Sequence, residues 1–414
     1  MTPADEHLRP EPGSIADLYS EPGFGVENLP YASFAPPGGN PQLGVRIGFR
    51  VLGVSAIVQS DGTASQSLLK AVDGHNLDGL LMAGRSTWDE LRGLITKQLV
   101  SADATSTLES YDLHDVTLFM PFTVADYVDF YASEHHATNV GRIFRPDQLP
   151  LTSNWKHLPI GYHGRSGTIV VSGTEIPRPK GLRPEPEGFP SFGPTRKLDI
   201  EAEIGFVIGG SAPGGEVSLS DAQNFIFGSV LVNDWSARDI QAFEYVPLGP
   251  FLGKSFATSI SPWVVPIAAL ASALVEPPPR DENLAAYLDD SRSPAFGLDI
   301  DLEVAIDDVI VSRPPFASMY WTPAQMLAHM TVNGASLRSG DFFASGTVSG
   351  PGKEQRGSLL ELTWNGTDPL AMPTGEKMSF LEDGAYVVIG ATAPGPLGTR
   401  IGFGEVSGRI MPPT

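Results

Sequence analysis

Residues 197–209 read KLDIEAEIGFVIG, and the alternation in this stretch decides the fold. Leu198, Ile200, Ala202 and Ile204 fall on one face of an extended chain, and Asp199, Glu201 and Glu203 on the other. A period of two is the mark of a β-strand. Carboxylates two residues apart on a strand lie ~7 Å apart along one face. Such like charges raise one another's pKa unless water or a cation intervenes, and a hard cation such as Ca2+ uses such oxygens directly. The stretch GLDIDLEVAI repeats the pattern with Asp299, Asp301 and Glu303. Spacing alone therefore leaves two candidate acidic strands, each of which also reads as an ordinary strand with a solvated face.

Outward from this strand, the chain beyond residue 118 is strand-rich with a few helices. Asn365-Gly366 and Asp383-Gly384 are hairpin signals between apolar runs. Thr322-Pro323 predicts a helix start and Asn333-Gly334 its end. Residues 175–197 hold six prolines and read as a long loop. The first ~118 residues form a smaller mixed unit. There Val45, Ile47, Phe49 and Val51 alternate with polar residues as a strand with one wet face. Thr87 and Glu90 predict a capping box before a helix that buries Trp88, Leu91, Ile95 and Leu99. Residues 101–117 are polar, as a linker or edge segment. The expected fold class is mainly β (α+β), with units at residues 1–118 and 119–414.

Composition narrows function. The 414 residues carry a formal net charge of −21, which repels phosphate backbones and anionic membranes. Cysteine is absent, which removes disulfides, thiol nucleophiles and thiolate metal sites, and a reducing cytosol fits. The N-terminus, MTPADEHLRPEPGS, lacks the apolar core of a signal peptide. Ser255–Val275 is uncharged, but Pro262 and Pro266 favour a strand at 263–265 and a short helix over a membrane span.

Several segments could carry chemistry. In DYVDFYASEHHATNVG (126–141), Asp129 and His136 are seven apart and share a face if the segment is helical. Tyr131 and His135 are four apart on another. The pair suits a general base near a metal, or a solvated helix. In LVNDWSARDIQAFEY (231–245), Asp234 suits an N-cap, and Arg238, Gln241 and Tyr245 follow along one helical stripe. Lys254 is a lone cation in an otherwise uncharged run from Val246 to Val275, which asks for an anionic partner. Glu361 sits among Leu359, Leu360 and Leu362, read as mid-strand, facing solvent or a partner such as a His. His163 and His329 read as structural. Neither a phosphate-binding loop nor a dinucleotide fingerprint is present.

Together the strings YVDFYASEHHATNVG, LPIGYHGR, KLDIEAE, VNDWSARDIQAFEYVPLGPFLGKSF, YWTPAQ and ASGTVSG…GSLLEL resemble the fumarylacetoacetate hydrolase family. ENLPY near position 30 resembles its N-terminal domain. The resemblance implies an SH3-like N-terminal barrel, a larger mixed β-sandwich roll and a cytoplasmic homodimer. It implies hydrolysis of 4-fumarylacetoacetate to fumarate and acetoacetate, the last step of tyrosine and phenylalanine breakdown. It places calcium on Asp129, Glu201, Glu203 and Asp234, favouring the first acidic strand. It places the base on His136 with Glu361 as its partner, and the oxyanion and carbonyl contacts on Arg238, Gln241 and Lys254. Tyr131, Arg145, Tyr162, Tyr245 and Thr347 fall on the substrate pocket. A second cation, Mg2+ or another, would involve Asp234, Lys254 and Thr258. Ala257 stands there in place of an expected Gly, and His135 in place of an expected Gln.

The chemistry agrees with this placement. Four carboxylates against Arg238 and Lys254 leave two negative charges for a divalent cation to cancel. The metal suits a β-dicarbonyl and its enolate, a His–Glu pair can activate water, and three donors suit an oxyanion. The partner is a small anionic substrate. The rival readings are another enzyme of the superfamily, such as an acylpyruvate hydrolase or a decarboxylase, and a non-catalytic calcium-binding protein.

Overall fold

The structure is a computed structural model that describes residues 8, 10–101, 108–212, 214–294 and 296–414. The acidic strand begins as a two-residue strand, Leu198–Asp199, paired antiparallel with Ser236–Ala237. It resumes as Ala202–Ile208 at the centre of an eight-stranded sheet. Along that sheet the order is Gly161–His163, Asp126–Phe130, Asp341–Ala344, Ala202–Ile208, Ile226–Asp234, Thr258–Ile260 and Ile169–Val171, and Val265–Pro266 also pairs with Ile226–Asp234.

Both faces of this sheet are covered. Ile204, Phe206, Ile208 and Leu231 join one core with Val304, Ile306, Val387, Ile389 and Phe403. Those partners come from a five-stranded sheet ordered Val309–Ser312, Asp301–Ile306, Tyr386–Pro394, Arg400–Met411 and Ile176–Pro177. On the other side Val207, Val230, Val232 and Phe342 share a core with Val45, Leu91 and Ile95 of the N-terminal unit. Ala202–Ile208 and Ile226–Asp234 are consequently buried at every position. The expected solvated carboxylate face does not exist: Asp199, Glu201 and Glu203 are all interior. The second acidic strand, Asp301–Ile306, is the one with a wet face.

The N-terminal unit is a five-stranded sheet ordered Ser110–Asp112, Arg50–Gly53, Gln42–Ile47, Tyr31–Ala35 and Thr117–Phe119, flanked by helices. Its two edges come from the polar 101–117 segment and the residues just after it, although residues 102–107 lie outside the described residues, as do residues 1–7 and 9 of the N-terminal stretch. The expected strand at 45–51 is instead a hairpin turning at Gly48, which has φ 55, and Arg46 on its supposed wet face is buried. The helix Arg85–Val100 starts earlier than expected, with Gly84 as N-cap. Glu90 caps a different helix, accepting from the backbone and hydroxyl of Ser65.

Other local expectations change as well. Residues 175–197 contain the hairpin Lys180–Arg183/Ser191–Pro194. Asn365-Gly366 turns the chain after a helix, and Asp383-Gly384 precedes the strand Tyr386–Pro394; neither joins a strand pair. The helix Pro323–Thr331 carries the expected Thr322 cap, closed into a box by Gln325. Residues 263–273 give the short strand Val265–Pro266 and a 3-10 helix, and among the described residues no helix is long and apolar enough to cross a membrane.

Candidate active site

The segment 126–141 is not one helix. Asp126–Phe130 is a strand between Asp341–Ala344 and Gly161–His163. The helix Glu134–Phe144 begins only after Ser133, whose hydroxyl accepts from the backbone N–H of His136. Asp129 and His136 meet because a strand end and a helix start converge, not because of a shared helical face. Asp234 is likewise no N-cap. It ends the strand Ile226–Asp234, and the helix Arg238–Glu244 starts four residues later. Glu361 lies in a short helix, Leu359–Leu362, rather than a strand.

These element ends enclose a cavity of about 390 Å³. Asp129, Tyr131, His136, Arg145, Tyr162, Glu201, Arg238, Gln241, Tyr245, Lys254 and Thr347 all line it. Glu203 lies beneath the wall, fully buried. His136 Nδ1 is 2.6 Å from Glu361 Oε2. Glu361 also accepts from Asn139 Nδ2, Ser349 Oγ and Ser358 Oγ, each at 2.9 Å, so every side of that carboxylate is held. His136 Nε2 points the other way, 3.8 Å from Glu201 Oε1. His135 is half-buried and does not line the cavity.

Asp129, Glu201, Glu203 and Asp234 form one buried cluster whose ligand atoms lie within 4.8 Å of one another. Lys254 Nζ contacts Glu201 and lies 2.7 Å from Asp234 Oδ2. Arg238 Nη1 is 2.8 Å from Glu201 Oε1 and 3.1 Å from Gln241 Oε1. Burial pushes Asp129 and Glu203 well above the usual carboxylate range, and the neighbouring carboxylates add to it. Burial also raises Asp234, against the pull of Lys254. Glu201 is lowered: burial opposes this, but Lys254 and Arg238 outweigh it. Glu361 is lowered too, because His136 and its other donors outweigh burial.

The cluster suits a hard cation. Both oxygens of Glu203 and Oδ1 of Asp129 are buried without a hydrogen-bond partner among the described residues. Carboxylates without donors are costly in an interior, and a divalent ion satisfies four oxygen ligands together. Asp234, Lys254 and Thr258 also come together, with Thr258 Oγ1 donating to Asp234 Oδ1 at 2.7 Å. An ammonium is not a metal ligand, so a cation there would draw oxygen from Asp234, Thr258 and the backbone.

Sequence reasoning missed the shell around these groups. Asp199 binds Arg238 Nε at 2.7 Å, so the site holds one more negative charge than the balance from sequence counted. Arg145 on the cavity wall offsets it. Asn139, three residues after His136 and so on its helix face, was within reach of periodicity; Ser349 and Ser358 were not.

Two family models match the chain: Fumarylacetoacetase N-terminal over residues 27–125, and Fumarylacetoacetate (FAA) hydrolase C-terminal over residues 126–409. The chain belongs to the fumarylacetoacetate hydrolase family. It is 42% identical to the fumarylacetoacetase of Arabidopsis thaliana, over 96% of this chain and 98% of the relative. It is 44% identical to that of Caenorhabditis elegans, over 96% and 99%. Among solved structures, a fumarylacetoacetate hydrolase from Exiguobacterium antarcticum shares the fold, with a TM-score of 0.56 at 15% identity over 93% of this chain and 99% of that one. Members of this family depend on a metal, and the buried acidic cluster is where this chain could bind one.

Proposed function

We infer that the chain is a fumarylacetoacetase, which hydrolyses the C–C bond of 4-fumarylacetoacetate to give fumarate and acetoacetate, the last step of tyrosine and phenylalanine breakdown. Relatives of that name match it along nearly its whole length. The observation that supports the mechanism is the His136–Glu361 pair opening onto a cavity lined by Asp129 and Glu201 of the acidic cluster and by two buried cations, Arg238 and Lys254.

A divalent cation held by Asp129, Glu201, Glu203 and Asp234, Ca2+ in this reading, supplies when bound Lewis-acid polarisation of the paired carbonyl oxygens and counter-charge for the departing enolate. His136 Nε2 takes a proton from water, whose oxygen attacks the carbonyl carbon on the fumaryl side. Glu361 fixes the imidazole through Nδ1 and balances its charge. Arg238, Gln241 and Lys254 donate to the oxyanion. As the tetrahedral centre collapses, the C–C bond breaks, the carbanion leaves as an enolate that takes the proton held on His136 Nε2 to give acetoacetate, and the new carboxyl group of fumarate releases its proton to water. Tyr131, Arg145, Tyr162, Tyr245 and Thr347 shape the pocket and orient the substrate's carboxylates. A second, structural cation such as Mg2+ near Asp234, Lys254 and Thr258 completes the reading.

The chain acts as a homodimer in the cytoplasm. Exposed Phe189 and Phe192 on the hairpin and Leu248 and Phe251 after the helix Arg238–Glu244 support a self-association surface. Light scattering at micromolar protein tests this, and a monomer would remove the dimer from the reading. Loss of fumarylacetoacetate absorbance with purified protein tests the activity. Turnover that stops with chelator and returns with Ca2+ supports it. Turnover of an acylpyruvate but not of fumarylacetoacetate would favour another hydrolase of the superfamily.

A further inference from the structure

Asp199 lies two residues before the metal-cluster residue Glu201 and is fully buried. Each of its carboxylate oxygens accepts two hydrogen bonds. Oδ1 takes the backbone N–H groups of Ile200 and Leu359, both at 2.7 Å. Oδ2 takes Leu360 N–H at 3.0 Å and Arg238 Nε at 2.7 Å. The first two backbone amides of the helix that carries Glu361 and the guanidinium of Arg238 therefore rest on one side chain.

The consequence is geometric. Glu361, two residues beyond Leu359, orients His136 through its 2.6 Å contact. With Nε of Arg238 anchored by Asp199 and Nη1 on Glu201 and Gln241, Nη2 is the guanidinium nitrogen left without a hydrogen-bond partner. The base and the oxyanion donor approach the substrate from different elements, 123 residues apart in sequence (Arg238 to Glu361). Only a rigid tie between those elements keeps both in register, and a misplacement of ~1 Å can cost about 10²-fold in rate.

We propose that Asp199 is a positioning residue that locks the His136–Glu361 pair and Arg238 into one catalytic register. The assignment rests on the roles of those residues given under the proposed function. The test compares kcat per metal-loaded site in wild type, Asp199→Asn and Asp199→Glu, with folding checked by circular dichroism and metal by elemental analysis. Wild-type turnover first establishes the activity itself, so its failure is distinguishable from failure of this proposal. Asp199→Asn keeps the size but sets an amide NH2 against two donors in either orientation, Leu360 N–H with Arg238 Nε or Ile200 N–H with Leu359 N–H, and Asp199→Glu keeps the charge but moves it by a methylene. Both are expected to bind metal, to keep KM within about threefold, and to lose kcat by about 10–100-fold. Combined with Glu361→Gln or Arg238→Met, Asp199→Asn should add less than its own loss, as groups acting as a unit do. Unchanged kcat per metal-loaded site in a folded variant overturns the proposal, and so does full additivity with both partners. If neither variant folds, Asp199 is a structural residue only and the proposal fails.

Discussion

At the residue scale, the base is decided between two adjacent histidines. His136 is buried with Nδ1 on Glu361, while its half-buried neighbour His135 stands outside the cavity. A general base contributes ~10²–10⁴-fold, so His136→Ala should lose turnover by about that much while still binding metal, and His135→Ala should retain it. His136→Gln keeps a donor for the buried Glu361 carboxylate and serves as the folding control. If His135→Ala lost turnover and His136→Ala kept it, the base would be misassigned. The two acidic strands separate in the same way. Glu201 is interior and in the cluster, whereas the Glu303 and Arg313 side chains pair at 2.9 Å with 47% and 63% of their surface exposed. An exposed pair of that kind is worth only ~0–1 kcal/mol. Glu201→Gln should therefore weaken metal affinity strongly in calorimetric titration, and Glu303→Gln should leave it unchanged. The reverse order of effects would move the metal to the other strand.

Elements explain which of these residues could be read in advance. Side-chain identity in 197–203 was legible because a period of two survives in the sequence even when both strand faces are buried. Burial of the acidic face was not, since it depends on the N-terminal unit and on the second sheet, far away in the chain. The helix face joining Asp129 to His136 was an accident of spacing: the strand Asp126–Phe130, held by pairing with Asp341–Ala344, ends before the helix starts at Glu134, and both residues line the cavity from different elements. Asp199 was visible as an acid, but its four donors come from residues up to 161 positions away. Turn chemistry was read at the wrong places. One hairpin that does form, between Asp301–Ile306 and Val309–Ser312, uses Asp307-Asp308, with φ 48 and 63, where both residues are left-handed. Two-residue turns of that type favour Gly at the second position. Asp307 Oδ1 accepts from Tyr386 N–H and should be kept. Asp308→Gly should raise stability by up to about 1 kcal/mol, visible as a higher denaturant midpoint with unchanged slope. A lower midpoint would mean that Asp308 makes a contact worth more than its backbone strain.

The molecule as a whole couples its metal to its stability through pH. Without a cation, burial holds Asp129 and Glu203 far above ordinary carboxylates, and Asp234 above its ordinary value. A group whose folded pKa exceeds its unfolded value makes the folded state the better proton binder. Its stabilising contribution is full below the unfolded pKa, near 4, and is lost as pH rises through the raised folded values. The metal-free protein therefore loses stability over that range as its buried cluster gains negative charge. Glu201 and Glu361 have lowered folded values and titrate at more acidic pH, so they oppose the trend only below the ordinary carboxylate range. A divalent cation needs the deprotonated ligands, so binding it expels protons and its affinity rises with pH. Ligand binding to the folded state alone adds stability that grows with the logarithm of one plus the ratio of free ligand to Kd. The gap in Tm between calcium-loaded and chelated protein should therefore widen from about pH 5 to about pH 8. Differential scanning calorimetry in matched buffers measures it, and Glu203→Gln, which removes one of the raised carboxylates, should flatten the widening. A gap that narrowed as pH rose would show that the raised carboxylates are not the groups the metal displaces protons from, and the ligand set would have to be redrawn.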